Sequence, residues 1–492
     1  MKSRFIFLGF VCSLIAALAT AADSAIRWEP FELPPGAGAL RAQLGRLTVP
    51  LNRAKPDAGV AEIVFVRLQA GDGKAGAPIV FLPGGPGGSG IGAARSPRSL
   101  ASFATLAEIA DVILLDPRGV GLSTPKPVCR SSAPLAPQER FGNAAAMLER
   151  IRGAAAACVE EWRGKGVDVS GFTNRESAAD LDALRAALGV PKISLFGFSY
   201  GTHLALAVLR DFGANVERAV LIGTEGPNHT RKLPSTLDTQ LAKLSLLAAR
   251  DASIGRDVPD MGALLKRVLT KLEREPMLVK VTDQAQKKEV DVPIGADSLR
   301  RILVMDIGDG NDFPVFPALL LTIERGDPSI LSWFVEKRYN QISGTIDLMT
   351  LGMECSSGAT ANRERQIRLE AETSPLRNAM NFPFPEVCSA LPPVDLGDAF
   401  RGPLISDVPV LFVSGTLDSN TPPFQAEELR WGMPRATHLI VGNAGHEDTL
   451  PNAEVQAAIA DFLAGKDVAA RHIALPSPDF MSVEEARKDR HR

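Results

Sequence analysis

Apolar and polar residues alternate along Leu44–Asn52 and again along Ala61–Gln69, the two-residue period of strands with one buried face. The pair predicts a leading antiparallel hairpin. Short, mostly apolar runs follow at Ile79–Leu82, Asp111–Leu115, Ile193–Phe196 and Arg218–Ile222, while Ser177–Leu188 and Thr202–Phe212 are spaced as helices. This alternation predicts a mostly parallel, doubly wound α/β sheet. It resumes at Val408–Val413, at Ala436–Val441 and in the amphipathic stretch Ala453–Leu463. From about Gly226 to Phe400 the pattern changes to charged helical segments such as Met261–Glu275 and Ala361–Glu372, which predicts a helical cap over one end of the sheet. The expected division is therefore a first core part over 22–225, a cap over 226–400 and a second core part over 401–465. A charged, solvated tail over 466–492 completes it.

The first residues bear on compartment. Lys2 and Arg4 precede an apolar run from Phe5 to Ala19, and Ala19-Thr20-Ala21 fits a small-residue cleavage site, so residues 1–21 read as an export signal. The run is shorter than the ~20 residues of a spanning helix, and Cys12 lacks a lipobox. The expected location is thus periplasmic or secreted, with no stable membrane association after cleavage. Loss of the segment moves the formal charge from −3 to −5, which offers no electrostatic footprint for nucleic acid. Four cysteines remain, and an even number in an exported chain suggests disulfides. Cys129 with Cys158 and Cys355 with Cys388 are favoured, because each pair is close in sequence and flanks one excursion from the core. Neither Cys-x-x-Cys nor a paired-histidine spacing appears, so no metal is expected.

Candidate chemistry starts at Gly197-Phe198-Ser199-Tyr200-Gly201, which lies between a predicted strand and a predicted helix. A Gly-x-Ser-x-Gly in that setting is a nucleophile elbow: a tight turn lifts the serine hydroxyl out of the sheet, near a helix N-terminus that favours developing negative charge. Serine needs a base, and the base needs an oriented acid. Of six histidines, His446 alone sits on a glycine-flanked loop directly after a strand. His203 reads as helix packing, His438 lies inside a strand, His229 lies in a polar loop, and His472 and His491 fall in the tail. Asp418 ends the strand Val408–Val413 through Ser414-Gly415-Thr416-Leu417, giving the order serine, acid, histidine. Pro83-Gly84-Gly85-Pro86-Gly87-Gly88-Ser89-Gly90 follows another strand and can present bare backbone N–H groups to an oxyanion, with the Tyr200 N–H as the second donor. A phosphate loop is disfavoured, since no Gly-Lys-Ser/Thr follows. Asp116 and Arg118, in Asp-Pro-Arg-Gly-Val-Gly-Leu-Ser, read as an ion pair that supports this loop rather than as catalytic groups.

Together GGPGGSG (84–90), DPRGVGLS (116–123), GFSYG (197–201), GTLDSNTPP (415–423) and GNAGHED (442–448) resemble the proline iminopeptidase and tripeptidyl-aminopeptidase-like branch of the α/β-hydrolases. The likeness runs in order from about Leu44 to Leu463 and is greatest to the secreted tripeptidyl aminopeptidases, with their long insertion before the acid. The resemblance implies an α/β-hydrolase fold, Ser199 as nucleophile, Asp418 as orienting acid and His446 as base. It also implies Gly85 and Tyr200 as oxyanion donors, and needs no cofactor. Two positions depart from the pattern. Pro83 stands where the small cytosolic iminopeptidases usually carry histidine, and Ile222 where the secreted group tends to carry aspartate.

The leading expectation is a secreted serine exopeptidase acting on short peptides. A carboxylesterase or lipase with the same triad is the alternative, since fold alone does not separate them. A catalytically silent binding protein is a third reading, which the complete triad disfavours. An aminopeptidase must also offset the desolvation of a substrate ammonium with an acid. Glu225, after the strand Arg218–Ile222, is the first candidate, and Glu354, beside Cys355, the second.

Overall fold

The computed structural model describes residues 26–488, apart from 36–39, 72–75, 131–134, 341 and 343. The expected export signal over 1–21 and His491 lie outside the described residues. The strands are β1 (Arg27–Pro30), β2 (Ala42–Pro50), β3 (Val60–Leu68), β4 (Ile79–Leu82), β5 (Val112–Asp116), β6 (Val128–Arg130) and β7 (Ile193–Phe198). They continue as β8 (Val216–Ile222), β9 (Met277–Asp283), β10 (Lys288–Ile294), β11 (Thr345–Asp347), β12 (Val410–Gly415), β13 (Ala436–Gly442) and β14 (His472–Ala474).

Ten of them form one sheet in the order β1-β2-β3-β5-β4-β7-β8-β12-β13-β14. The first three pairings are antiparallel and all those from β5 to β14 are parallel. Every residue of β4 and β5 is buried, as expected of parallel strands covered on both faces. Val80, Leu82, Ile113, Leu115 and Leu195 face one hydrophobic layer, and Ile79, Phe81, Val112, Leu114 and Phe196 the other. The chain leaves β4 toward β5 on one side and later returns to β7 on the other. That reversal opens a crevice at the carboxyl ends of β4 and β7, where open α/β sheets place their ligands.

The cap has its own core. In the helix Met261–Arg274, Met261, Leu264, Leu265, Val268, Leu269 and Leu272 recur at helical spacing and are buried, and the Asp260 carboxylate caps the Ala263 N–H. Around it pack Leu299, Phe316, Phe334 and Tyr339.

Three expectations need correction. The cap is not purely helical, because β9 and β10 pair as an antiparallel hairpin whose Val279, Val281, Val292 and Ile294 fill the cap core. Nor does the cap extend uniformly to residue 400: Met349, Met353, Val387 and Phe400 pack in the same layer as the sheet. The segment 466–492 is not a solvated tail over its described part. β14 adds to β13 with Ile473 buried, Phe480 and Ala486 enter the cap core, and Arg487 pairs with Asp327. Its charges sit on the outer side of a short terminal helix while its few apolar residues face inward.

Candidate active site

β7 ends at Phe198, and the helix Tyr200–Phe212 begins two residues on, with one residue between. Ser199 bridges them with φ 54°, a left-handed conformation that costs a non-glycine residue strain energy and occurs where surrounding structure enforces it. Here the Ser199 N–H donates to the Ile222 carbonyl (2.9 Å), and the Thr202 N–H and Oγ1 donate to the Ser199 carbonyl (2.8 and 2.6 Å). Glycines make room: a Cβ on Gly197 would lie 2.7 Å from the Gly201 carbonyl oxygen, and one on Gly201 would strike the Leu82 carbonyl.

The Ser199 hydroxyl lies 2.9 Å from His446 Nε2, and His446 Nδ1 lies 2.8 Å from Asp418 Oδ2. Asp418 is held on both oxygens. Oδ1 accepts the Asn420 and Thr421 N–H groups (2.8 and 2.9 Å), and Oδ2 also accepts the Thr421 hydroxyl (2.7 Å). Burial pushes the Asp418 carboxyl up, but the His446 charge and these hydrogen bonds hold it below its ordinary value. Burial pushes the His446 imidazole down, and Asp418 more than offsets this, so it is raised. The Phe198 ring lies against the imidazole, tilted by 37° with centroids 5.1 Å apart.

The glycine-rich loop after β4 runs beside Ser199, with a Cβ on Gly84 falling 3.1 Å from Ser199 Cβ. Gly85 has φ 129°, and a Cβ there would meet the Gly87 and Gly88 amides, so only glycine fits. The Tyr200 N–H belongs to the first helical turn, where amides have no partner within the helix. The loop is braced by Asp116, which accepts the Ser89 hydroxyl (2.5 Å) and the Ile91 and Leu122 N–H groups (3.1 and 2.8 Å). The expected Asp116–Arg118 ion pair does not form. Fully buried Arg118 turns instead to Asp180 and to the Leu51 and Gly171 carbonyls, because Asp116 is already committed to the loop.

Glu225 and Glu354 come together near the helix Tyr200–Phe212, where both carboxylates, after burial, raise the Tyr200 phenol. The Glu225 N–H donates to Thr202 Oγ1, the hydroxyl that also holds the Ser199 carbonyl. Each acid meets a cation that sequence reasoning missed: Lys232 Nζ donates to Glu225 Oε2 (2.5 Å), and Arg231 Nη1 to Glu354 Oε2 (2.8 Å). Burial pushes the Glu225 carboxyl up, but Lys232 brings it below the usual range, while burial and the Glu225 charge raise Glu354. Glu225 Oε1 is buried without a hydrogen-bond partner among the described residues. A run Arg-Lys six and seven residues after a glutamate carries no signal of this pairing, because the polypeptide folds back only in three dimensions.

Of the remaining histidines, His203 is buried between the Gly226 carbonyl and Ser357 Oγ, and His229 bonds Glu428. His229 is 4% exposed, so its segment is not the open polar loop its composition suggests. His472 lies on the edge strand β14. The structure pairs Cys129 with Cys158 and Cys355 with Cys388. Among the described residues, no helix is long and apolar enough to cross a membrane.

Comparison with known proteins gives a match over residues 77–453 to the family model described as the alpha/beta hydrolase fold. Serine protease Hip1 of Mycobacterium tuberculosis is 36% identical over 195 residues, covering 38% of this chain and 36% of that protein. A tripeptidyl aminopeptidase of Streptomyces lividans is 33% identical over 232 residues, covering 44% and 41% respectively. The matched stretches therefore span well under half the length of these relatives. Among solved structures, Rv0554 from Mycobacterium tuberculosis aligns with 86% of this chain and 100% of that one at 15% identity and a TM-score of 0.39.

Proposed function

Because the chain belongs to the α/β hydrolase fold family, with the elbow, acid and base loops of one hydrolytic site, we propose that it is an exported serine exopeptidase releasing N-terminal residues or short peptides. Ser199 Oγ attacks the scissile carbonyl as His446 Nε2 takes its proton, and the Tyr200 and Gly85 N–H groups receive the oxyanion. His446 then protonates the leaving amine, and water, deprotonated by the same imidazole, cleaves the acyl-enzyme. No cofactor enters these steps. Similarity to proteins named serine protease and tripeptidyl aminopeptidase supports peptide rather than other acyl substrates. Two disulfides support export, since such bonds persist in oxidising compartments.

The observation that carries exopeptidase action is the Glu225 carboxylate, buried beside the nucleophile helix with Oε1 unpartnered. A substrate ammonium would supply the missing donor, and Glu354 lies within the same cluster as a second acceptor. A second reading, an esterase, draws on the cations: with Lys232 and Arg231 already matched to the two acids, a neutral acyl group needs no further charge. Aminoacyl, dipeptidyl and tripeptidyl chromogenic amides, free and N-acetylated, run beside short-chain esters, separate the two. The exopeptidase reading expects acetylation and Glu225→Gln each to lower peptide kcat/KM by about 10–100-fold, the worth of one charged hydrogen bond, with ester turnover retained. Equal turnover of free and acetylated peptides, with esters preferred, establishes the esterase instead.

A further inference from the structure

The cap reaches the acid and base loops through a few buried bonds. Gln240, on the cap helix Pro234–Ala248, is 2% exposed. Its Nε2 donates to two backbone carbonyls, those of Ile307 (3.1 Å) and Leu417 (2.7 Å). Leu417 precedes Asp418. Ile307 precedes Gly308, whose carbonyl accepts the His446 N–H at 2.8 Å. One carboxamide thus ties the residue before the acid to the residue before the acceptor of the base's own amide.

The surrounding packing leaves little play. The Leu417 side chain is buried in the cap core, and its N–H donates to the Ala444 carbonyl (2.8 Å), joining the acid loop to the base loop. One turn after Gln240, Lys243 Nζ donates to the Thr416 carbonyl (2.7 Å). The cap loop and base loop touch backbone to backbone: a Cβ on Gly445 would fall 2.6 Å from the Gly308 carbonyl oxygen, and one on Gly310 would strike the Asp448 carboxylate. That cap loop is pinned at its ends, where Lys337 bonds Asp306 (3.1 Å) and Asp312 (2.6 Å).

We propose that Gln240 is a positioning residue for the triad: by holding the Ile307 and Leu417 carbonyls together it fixes the separation of the base loop from the acid loop. The cap then builds the catalytic geometry along this edge and does not swing away from it as a lid. The inference rests on the Ser199–His446–Asp418 reading of the site and holds equally for a peptidase or an esterase.

Gln240→Met keeps side-chain length and removes the donor. Its test is the labelling rate with a fluorophosphonate together with the pH profile of kcat/KM. Misplacement of a catalytic group by about 1 Å can cost on the order of 10²-fold, so labelling and kcat should fall by at least tenfold with KM little changed. The acid limb should move to lower pH, because His446 loses part of the Asp418 contact that raises it. Lys271→Met is the control: Lys271 Nζ also bridges two cap carbonyls, those of Ile323 and Glu324, away from both loops. It should leave labelling and the acid limb as in the wild type. If Gln240→Met does not fold, Gly308→Ala probes the adjoining contact of the same cap loop with the acid loop, by placing a Cβ 2.7 Å from Ser419 Oγ, and the same two shifts are expected. Wild-type labelling and acid limb in the folded variant, or equal losses in the Lys271→Met control, overturn the proposal. Retained labelling in Ser199→Ala would instead overturn the triad reading beneath it.

Discussion

Among the described residues, two serine–histidine–acid relays have nearly the same distances. Beside Ser199–His446–Asp418 stands Ser414–His438–Glu427, with His438 Nε2 2.9 Å from Ser414 Oγ and Nδ1 2.5 Å from Glu427. Geometry does not separate them, but placement does. Ser414 lies within the buried strand β12 at 1% exposure, whereas Ser199 is half-buried on a strained turn at a helix N-terminus. Ser199→Ala should therefore abolish turnover, and Ser414→Ala should leave kcat unchanged while lowering thermal stability. Active-site titration beside calorimetry checks both, and a Ser414→Ala enzyme without activity would refute the assignment. On the proposed mechanism, the acid limb of kcat/KM reports His446, which must be neutral to accept the Ser199 proton. Because Asp418 raises it, the limb should lie above ~6.5, the ordinary histidine value, with activity lost as pH falls through it. Asp418→Asn should lower kcat by on the order of 10⁴-fold and move the limb down. The juxtaposition of Ser199, Asp418 and His446 was legible because each follows an apolar run and sits among glycines. Lys232, Arg231 and Gln240 were not, since their partners are set by tertiary contact and nothing in their neighbours marks them.

At the scale of elements, legibility followed the strength of the hydrophobic period. β2, β3, β4, β5 and β7 lie within a residue or two of the stretches their patterns predict, because sheet burial dictates every position along them. β14 offers one buried residue in three, and β9 alternates in a region whose charged helices dominate the pattern. The helix Leu348–Ser357 lies within the cap's stretch of sequence but packs with the sheet layer, and a disulfide from Cys355 secures it. Both disulfides close loops of similar size, with separations of 29 and 33 residues. Loop-closure entropy gives about 3–4 kcal/mol for each. Replacing Cys355 and Cys388 with serine should lower the urea unfolding free energy by about that much. A change below ~0.5 kcal/mol, the range of neutral surface substitutions, would show that the unfolded chain is not constrained there.

Over the whole molecule, the C-terminal segment holds sheet and cap in one body. It leaves the sheet at β14, where the Leu475 N–H bonds the Gly442 carbonyl, and crosses to the cap, where the Met481 N–H bonds the Pro314 carbonyl. Phe480 is the anchor at 2% exposure, packed among cap residues, with its carbonyl accepting the Ser253 hydroxyl (2.6 Å). A solvated tail and a clamp make opposite predictions. In a tail, Phe480→Ala would change stability by less than ~0.5 kcal/mol. In a clamp, it removes a buried aromatic side chain and leaves a cavity, at a cost of about 3–5 kcal/mol. The clamp also makes the damage non-local, because freeing 466–488 exposes the β13 edge as well as the cap core. Phe480→Ala should therefore lower Tm markedly and raise hydrogen exchange both in β13 and in the helix Ser329–Tyr339. Exchange confined to the last residues, with Tm unchanged, would restore the tail. The same variant bears on the site: Leu417, next to Asp418, shares the cap core with Phe480, so kcat should fall before the protein unfolds.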